Sequence, residues 1–123
     1  MRILHVASEI FPLVKTGGLA DVMAALPPAL VKRGLDARVL VPGLPGVLNG
    51  IVGLKPLIRI GPVFGAAVVT ISLGKMPDSG IHAYVIDAPF LYRREGNPYV
   101  GPDGHDWSDN HRRFALLGWV AAH

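Results

Sequence analysis

A mostly apolar run at positions 3–7, broken only by His5, stops at Ser8-Glu9, so residues 2–7 read as a buried first strand. From Leu19 the period changes. Leu19, Val22, Met23, Leu26 and Leu30 recur at helical spacing and predict a helix with one apolar face. Pro27-Pro28 predict a kink or a restart in it, because each proline removes a backbone donor, and Gly34 is the expected C-cap. Residues 37–41 read as a second strand, completing a βαβ unit with parallel strands and a right-handed crossover. The glycines and prolines of 42–53 read as a surface loop. Further strands are expected at 57–60, 66–73 and 81–86, joined by hairpins at Gly61-Pro62 and Pro77-Asp78-Ser79-Gly80. Residues 87–104 are irregular in pattern. Ser108 is the expected N-cap of a last helix, with Phe114, Leu117 and Val120 or Ala121 facing inward. The fold class is α/β, a mixed sheet with hairpins.

Composition narrows this picture. A chain of 123 residues builds one domain with a modest core, not two. Half the residues are hydrophobic and 17% are charged, a globular balance leaning apolar. No apolar run reaches the ~18–20 residues of a membrane span, and the N-terminus lacks the parts of a secretory signal. The absence of cysteine removes disulfides and thiolate metal sites, and fits a cytoplasmic location. The net charge of +3 is spread thinly, with Arg93-Arg94 beside Glu95 and Arg112-Arg113 after Asp103, Asp106 and Asp109. A nucleic-acid surface would cluster its cations on one face, so none is expected.

The chemistry concentrates in Lys15-Thr16-Gly17-Gly18-Leu19-Ala20-Asp21-Val22, between the first strand and the first helix. Glycines let a ligand approach the backbone, and a helix start offers unpaired N–H groups and partial positive charge. Lys15 adds a cation suited to a phosphate oxygen. Neither common phosphate motif is present. The dinucleotide fingerprint needs G-x-G-x-x-G and a carboxylate about 20 positions on, but the second strand ends at Leu40-Val41-Pro42. A P-loop needs a glycine ahead of its Gly-Lys pair, and Leu13-Val14 precede Lys15-Thr16. From the loop alone, Lys15 is open to two readings, phosphate ligand or solvated lysine. Asp21, in the first helical turn, equally serves to compensate the helix dipole. Glu9 at the strand's exit is open between ligand contact and loop hydrogen bonding, and Tyr99 between stacking on a sugar and packing its loop. No histidine pair has metal-ligand spacing.

The same residues carry a resemblance. Ser8-Glu9, Pro12, the block from Lys15 to Val22 and Ala25-Leu26-Pro27 resemble the N-terminus of bacterial glycogen synthase, a family shared with plant starch synthases. Ile86-Asp87-Ala88-Pro89, Asn97-Pro98-Tyr99, Asp109-Asn110 and Arg113-Phe114-Ala115-Leu116-Leu117-Gly118-Trp119 extend it nearly to the end. The resemblance implies a partial Rossmann-like N-terminal domain of a two-domain GT-B glycosyltransferase. It implies transfer of glucose from ADP-glucose to the non-reducing end of an α-1,4-glucan, with retention and with no metal or organic cofactor. By the same resemblance Lys15 contacts phosphate, Gly17 and Gly18 lend backbone N–H groups, and Asp21 lies near the reacting glucose. Glu9 and Tyr99 approach the sugar.

His105-Asp106-Trp107 is similar to the family's His-x-His-Asp-Trp segment, but it precedes Asp109-Asn110 and no apolar strand leads into it. It is read as a loop, and His105 is given no catalytic role. Because the chain stops inside its last helix, it is expected to be a fragment lacking the C-terminal donor-binding domain. Such a fragment would be inactive alone and prone to self-association. The alternative is a free-standing nucleotide- or phosphate-binding module without transferase activity.

Overall fold

The computed structural model describes residues 1–66 and 68–122. Five strands make one sheet in the order β1-β2-β5-β4-β3. β1 (Arg2–Val6), β2 (Asp36–Pro42) and β5 (His82–Asp87) run parallel, while β4 (Val69–Lys75) is antiparallel to β5 and to β3 (Val52–Ile60). The helices are α1 (Gly18–Lys32), α2 (Pro45–Gly50), the short α3 (Pro89–Tyr92) and α4 (Asn110–Ala122). Both expected hairpins form, and the first βαβ unit is parallel as predicted. Ala67, within the strand expected over 66–73, lies outside the described residues.

Alternation along the central strands divides the core. Val39, Val41, Ala83 and Val85 point to the α1 side, where Met23, Val47 and Ile51 meet them. Leu40 and Ile86 point to the other side, onto Leu91, Tyr92, Leu116 and Leu117. Burial on both faces is what a parallel pair requires, because helices cover each side.

Several elements depart from the sequence expectation. α1 runs unbroken through Pro27-Pro28, since Pro27 is buried against the sheet and its packing outweighs the lost donor. Its buried stripe is Ala20, Met23 and Pro27, while Leu19, Val22 and Leu26 are 42–55% exposed. The sheet-facing stripe thus mixes small and large side chains, and three of the leucine and valine positions turn outward. α1 does end as expected at Gly34 (φ +85), where Gly34 N donates to Val31 and Leu35 N to Leu30, the paired bonds of a Schellman cap.

The stretch 42–53 is not a loop. It holds α2, with Pro45 in the first turn, and the start of β3. Gly46 and Gly50 serve close approach: a Cβ on Gly46 would lie 2.6 Å from the Leu13 carbonyl oxygen, and one on Gly50 2.2 Å from a Leu13 methyl. β3 is longer than expected because it is the sheet's edge, where Pro56 and two register shifts are tolerated. Residues 87–104 contain α3 and are otherwise irregular. α4 opens at Asn110, not after Ser108. Asp109 precedes it and its carbonyl receives the Arg112 and Arg113 amides. That register buries Arg113, Leu116 and Leu117 and leaves Phe114 38% exposed, stacked on Tyr99 with ring centroids 6.0 Å apart.

Candidate functional site

Ala7 extends β1 by donating to Leu40, and the chain then turns at Ser8-Glu9 over the carboxyl ends of the parallel strands. Ligands bind open α/β sheets at that end. The Glu9 side chain does not face solvent: the residue is 1% exposed and both its oxygens are occupied. One accepts the amides of Gly17 (3.3 Å) and Ala20 (3.1 Å); the other accepts the Thr16 hydroxyl and the Tyr99 phenol (3.1 Å). Burial pushes its pKa up, but the hydrogen bonds from Thr16, Tyr99, Ala20 and Gly17 outweigh that and hold it below the usual carboxylate value.

Lys15 and Asp21 face each other across the loop. The ammonium donates to both carboxylate oxygens at 3.0 and 2.8 Å and lies 5.7 Å from the centre of the Phe11 ring. Both side chains are about half exposed, so the pair is open to a competing anion. Gly17 has an extended backbone (φ −163, ψ −158) that any residue adopts, and a Cβ on Gly17 or Gly18 would meet nothing within 4 Å. Protein packing does not require glycine at either position. Gly17's amide is turned in to Glu9, as is Ala20's, which leaves the Gly18 N–H among the unpaired donors of the first turn.

Tyr99 sits beneath the loop. Its phenol also pairs with Ser8 Oγ at 2.7 Å, and burial, with the Glu9 carboxylate, raises its pKa. The Asn97 side chain accepts the Tyr99 and Val100 amides, and Asn110 donates to the Tyr99 carbonyl. Glu9, Thr16, Gly17 and Tyr99 therefore form one connected group, with Lys15 and Asp21 on its outer surface. Beside Lys15 opens a cleft of about 360 Å³, lined by Leu44, Gly46, Arg94, Gly96 and Asn97. His105, as read from sequence, lies on an exposed loop, with its Nδ1 3.6 Å from the Asp103 carboxylate.

Sequence reasoning gave no role to Arg113 or Arg94. Arg113 is 2% exposed and donates to the carbonyls of Leu91 (2.8 Å) and Pro98 (3.0 Å), while its own carbonyl accepts the Tyr92 hydroxyl at 2.6 Å. It thereby ties α3 and the turn before Tyr99 to α4. Burial lowers its pKa, as does the nearby Arg94. Arg94 grips Asp109 with two bonds of 2.7 and 2.6 Å and lies over the Trp107 ring at 5.0 Å. The only sequence signal was an arginine inside an apolar helical pattern.

Fold and site together define a class: an open, mixed α/β sheet presenting a cation, a carboxylate and a glycine-opened helix start beyond its parallel strands. A family model described as the starch synthase catalytic domain matches residues 2–123, and the chain belongs to that family. It is 56% identical over 122 residues to the glycogen synthase of Francisella philomiragia and 57% identical to that of Francisella tularensis subsp. holarctica, covering 99% of this chain and 25% of each relative. The chain thus spans about a quarter of the length of these relatives. In structure it is similar to the catalytic domain of Starch Synthase IV from Arabidopsis thaliana, solved with ADP and acarbose. The TM-score is 0.74 at 23% identity, covering 98% of this chain and 24% of that one, a likeness of fold. No helix among the described residues is long and apolar enough to cross a membrane.

Proposed function

We propose that this chain is the N-terminal, acceptor-side part of an ADP-glucose-dependent glycogen synthase, a retaining glycosyltransferase of two domains. In the reaction the bond between glucose C1 and the diphosphate breaks, and a bond forms from C1 to the 4-hydroxyl oxygen of the glucan end. ADP leaves, and the hydroxyl proton is lost to the site. The observation that carries the reading is the half-exposed Lys15–Asp21 pair standing beside two glycines that the fold itself does not need.

In this reading the diphosphate takes Lys15 from Asp21, and Gly18 adds a backbone N–H at the positive end of α1. The freed Asp21 carboxylate then faces the glucose, where it is the residue of this chain closest to the chemistry. Gly17 contributes the absence of a side chain. Tyr99 and Glu9 shape the floor. Francisella relatives named glycogen synthase and the ADP-bound starch synthase neighbour support the donor class. No cofactor is required, and the enzyme works in the cytoplasm. The exposed apolar side chains of Phe11, Leu19, Val22 and Leu26 give the chain a surface for self-association, which light scattering after size exclusion measures.

The decisive experiment is glucan elongation by the longer protein with ADP-glucose and UDP-glucose in parallel, beside Lys15→Ala. The expected result is elongation with ADP-glucose and a large loss in the variant. Donor affinity unchanged by Lys15→Ala removes this loop from the phosphate site.

A further inference from the structure

The carboxylate of Glu9 is buried without a cation: its four partners are two backbone amides and two hydroxyls. Burying a charge is costly unless it is well hydrogen-bonded, and an apolar residue at this position would leave all four donors without their acceptor. What the charge supplies is acceptor capacity. A carboxylate accepts on both oxygens, so one side chain holds the start of α1 through Gly17 and Ala20, the preceding turn through Thr16, and a separate loop through Tyr99. The Tyr99 contact spans 90 positions of sequence. Ser8, next to Glu9, repeats the link by pairing with the same phenol.

We propose that Glu9 is a positioning residue, whose buried carboxylate locks the glycine loop and the Asn97–Val100 turn into one unit that holds Lys15 and the Gly18 amide in place for a phosphate. Its contact is with the loop, not with the sugar. Lys15 has few constraints of its own, being half exposed with only Asp21 and the Phe11 ring as partners. Its location therefore depends on the backbone that Glu9 fixes on either side, at Ser8-Glu9 and at Thr16-Gly17. The Tyr99 turn is itself fixed by Asn97, Asn110 and the Arg113 bond to Pro98, so the anchor point is rigid.

The ligand part of this inference rests on the phosphate reading of the loop; the mechanical part does not, and the test separates them. Tyr99→Phe removes one hydroxyl in a different loop, and Glu9→Gln keeps shape while removing charge. Amide hydrogen exchange in the chain is read at Gly17 and Ala20, with Val39 and Val85 in the central strands as internal references. ADP titrations followed at Gly18 give the affinity. Expected in Tyr99→Phe is exchange about fivefold faster at Gly17 and Ala20, with the references unchanged, and ADP binding weakened severalfold. Glu9→Gln moves the same signals further. If Glu9→Gln does not fold, Tyr99→Phe decides alone. Unchanged exchange at Gly17 and Ala20, or acceleration spread equally to Val39 and Val85, overturns the proposal, the second outcome meaning a structural role only. Faster local exchange with no ADP response in the unaltered chain supports the clasp while sinking the phosphate reading.

Discussion

Lys15 and Asp21 are partners in one ion pair, yet the proposed function gives them opposite effects on anion binding. The pair holds at 2.8 Å with both side chains about half in water, an environment in which such pairs contribute ~0–1 kcal/mol. A diphosphate approaching Lys15 must displace the Asp21 carboxylate, which also repels it. Asp21→Asn removes both obstacles. Releasing about 0.5–1 kcal/mol should tighten ADP binding roughly two- to fivefold. Lys15→Ala instead removes a charge-assisted hydrogen bond to phosphate of about 1.5–3 kcal/mol, weakening binding by roughly one to two orders of magnitude. Neither substitution should move the unfolding midpoint appreciably, because the pair is exposed. Isothermal titration of ADP into the two variants and the parent chain measures both effects. Repeating it at ~1 M salt, where the screening length falls to ~3 Å, should shrink the difference between them. On the proposed function, the longer protein carrying Asp21→Asn should bind ADP better and transfer glucose worse. The reasoning is refuted if Asp21→Asn weakens ADP binding as much as Lys15→Ala does, because Asp21 would then be holding the ligand and not competing for the cation.

The glycines give a second contrast. Gly18→Ala places a methyl in open space, so stability should stay within about 1 kcal/mol of the parent while ADP affinity falls, whereas Gly46→Ala drives a Cβ against the Leu13 carbonyl and should cost ~1–3 kcal/mol. Urea titration and ADP binding on both variants check the pair of outcomes. Leu116, wholly buried between α4 and the sheet, should cost ~2–5 kcal/mol when cut to Ala, read as a shift of the denaturation midpoint at unchanged slope. The Asp109 carboxyl is held below its ordinary 3.8 chiefly by the hydrogen bond from Arg94, against the opposing push of burial. The unfolded chain therefore binds that proton more tightly than the folded one. The contribution is complete above the ordinary carboxylate range and is lost as pH falls through the lowered value. Asp109→Asn should flatten the acid side of the stability profile, and an unchanged acid limb would show that Asp109 does not contribute to it.

The sheet was legible because β2 and β5 are apolar at successive positions and bounded by turn residues, a pattern with one physical reading. The inward face of α1 was not. Helical spacing weights large side chains, whereas the sheet meets Ala20, and the amide of Ala20 is pinned from below by Glu9. Glycine was misread in α2 for a related reason. Gly46 and Gly50 punctuate the local sequence like a loop, and only their contact with Leu13, some thirty positions earlier, shows that they admit a neighbour. Arg113 looked like a polar interruption of α4, because the carbonyls it satisfies belong to α3 and to Pro98. In each case the missing information was a distant partner, which no window of local sequence contains.

The strand exit shows the converse. Local rules placed a candidate site there, and the structure adds two features to it, one of which packing does not explain. Gly17 and Gly18 are glycines without positive φ and without a neighbour that a methyl would strike, so folding would accept alanine. Glu9 is a charge buried without a counter-ion, held by four hydrogen-bond donors in place of a cation. A sequence shaped by stability alone has no need of the two glycines at this point, and departures from local consistency gather where a chain does something other than fold. The two are also complementary: the loop is left bare on its outer side and held on its inner side. Bareness without support would give a mobile turn, and support without bareness would give a covered one. Only the combination leaves a fixed amide and a movable cation facing open space, which is what recognition of an anion requires.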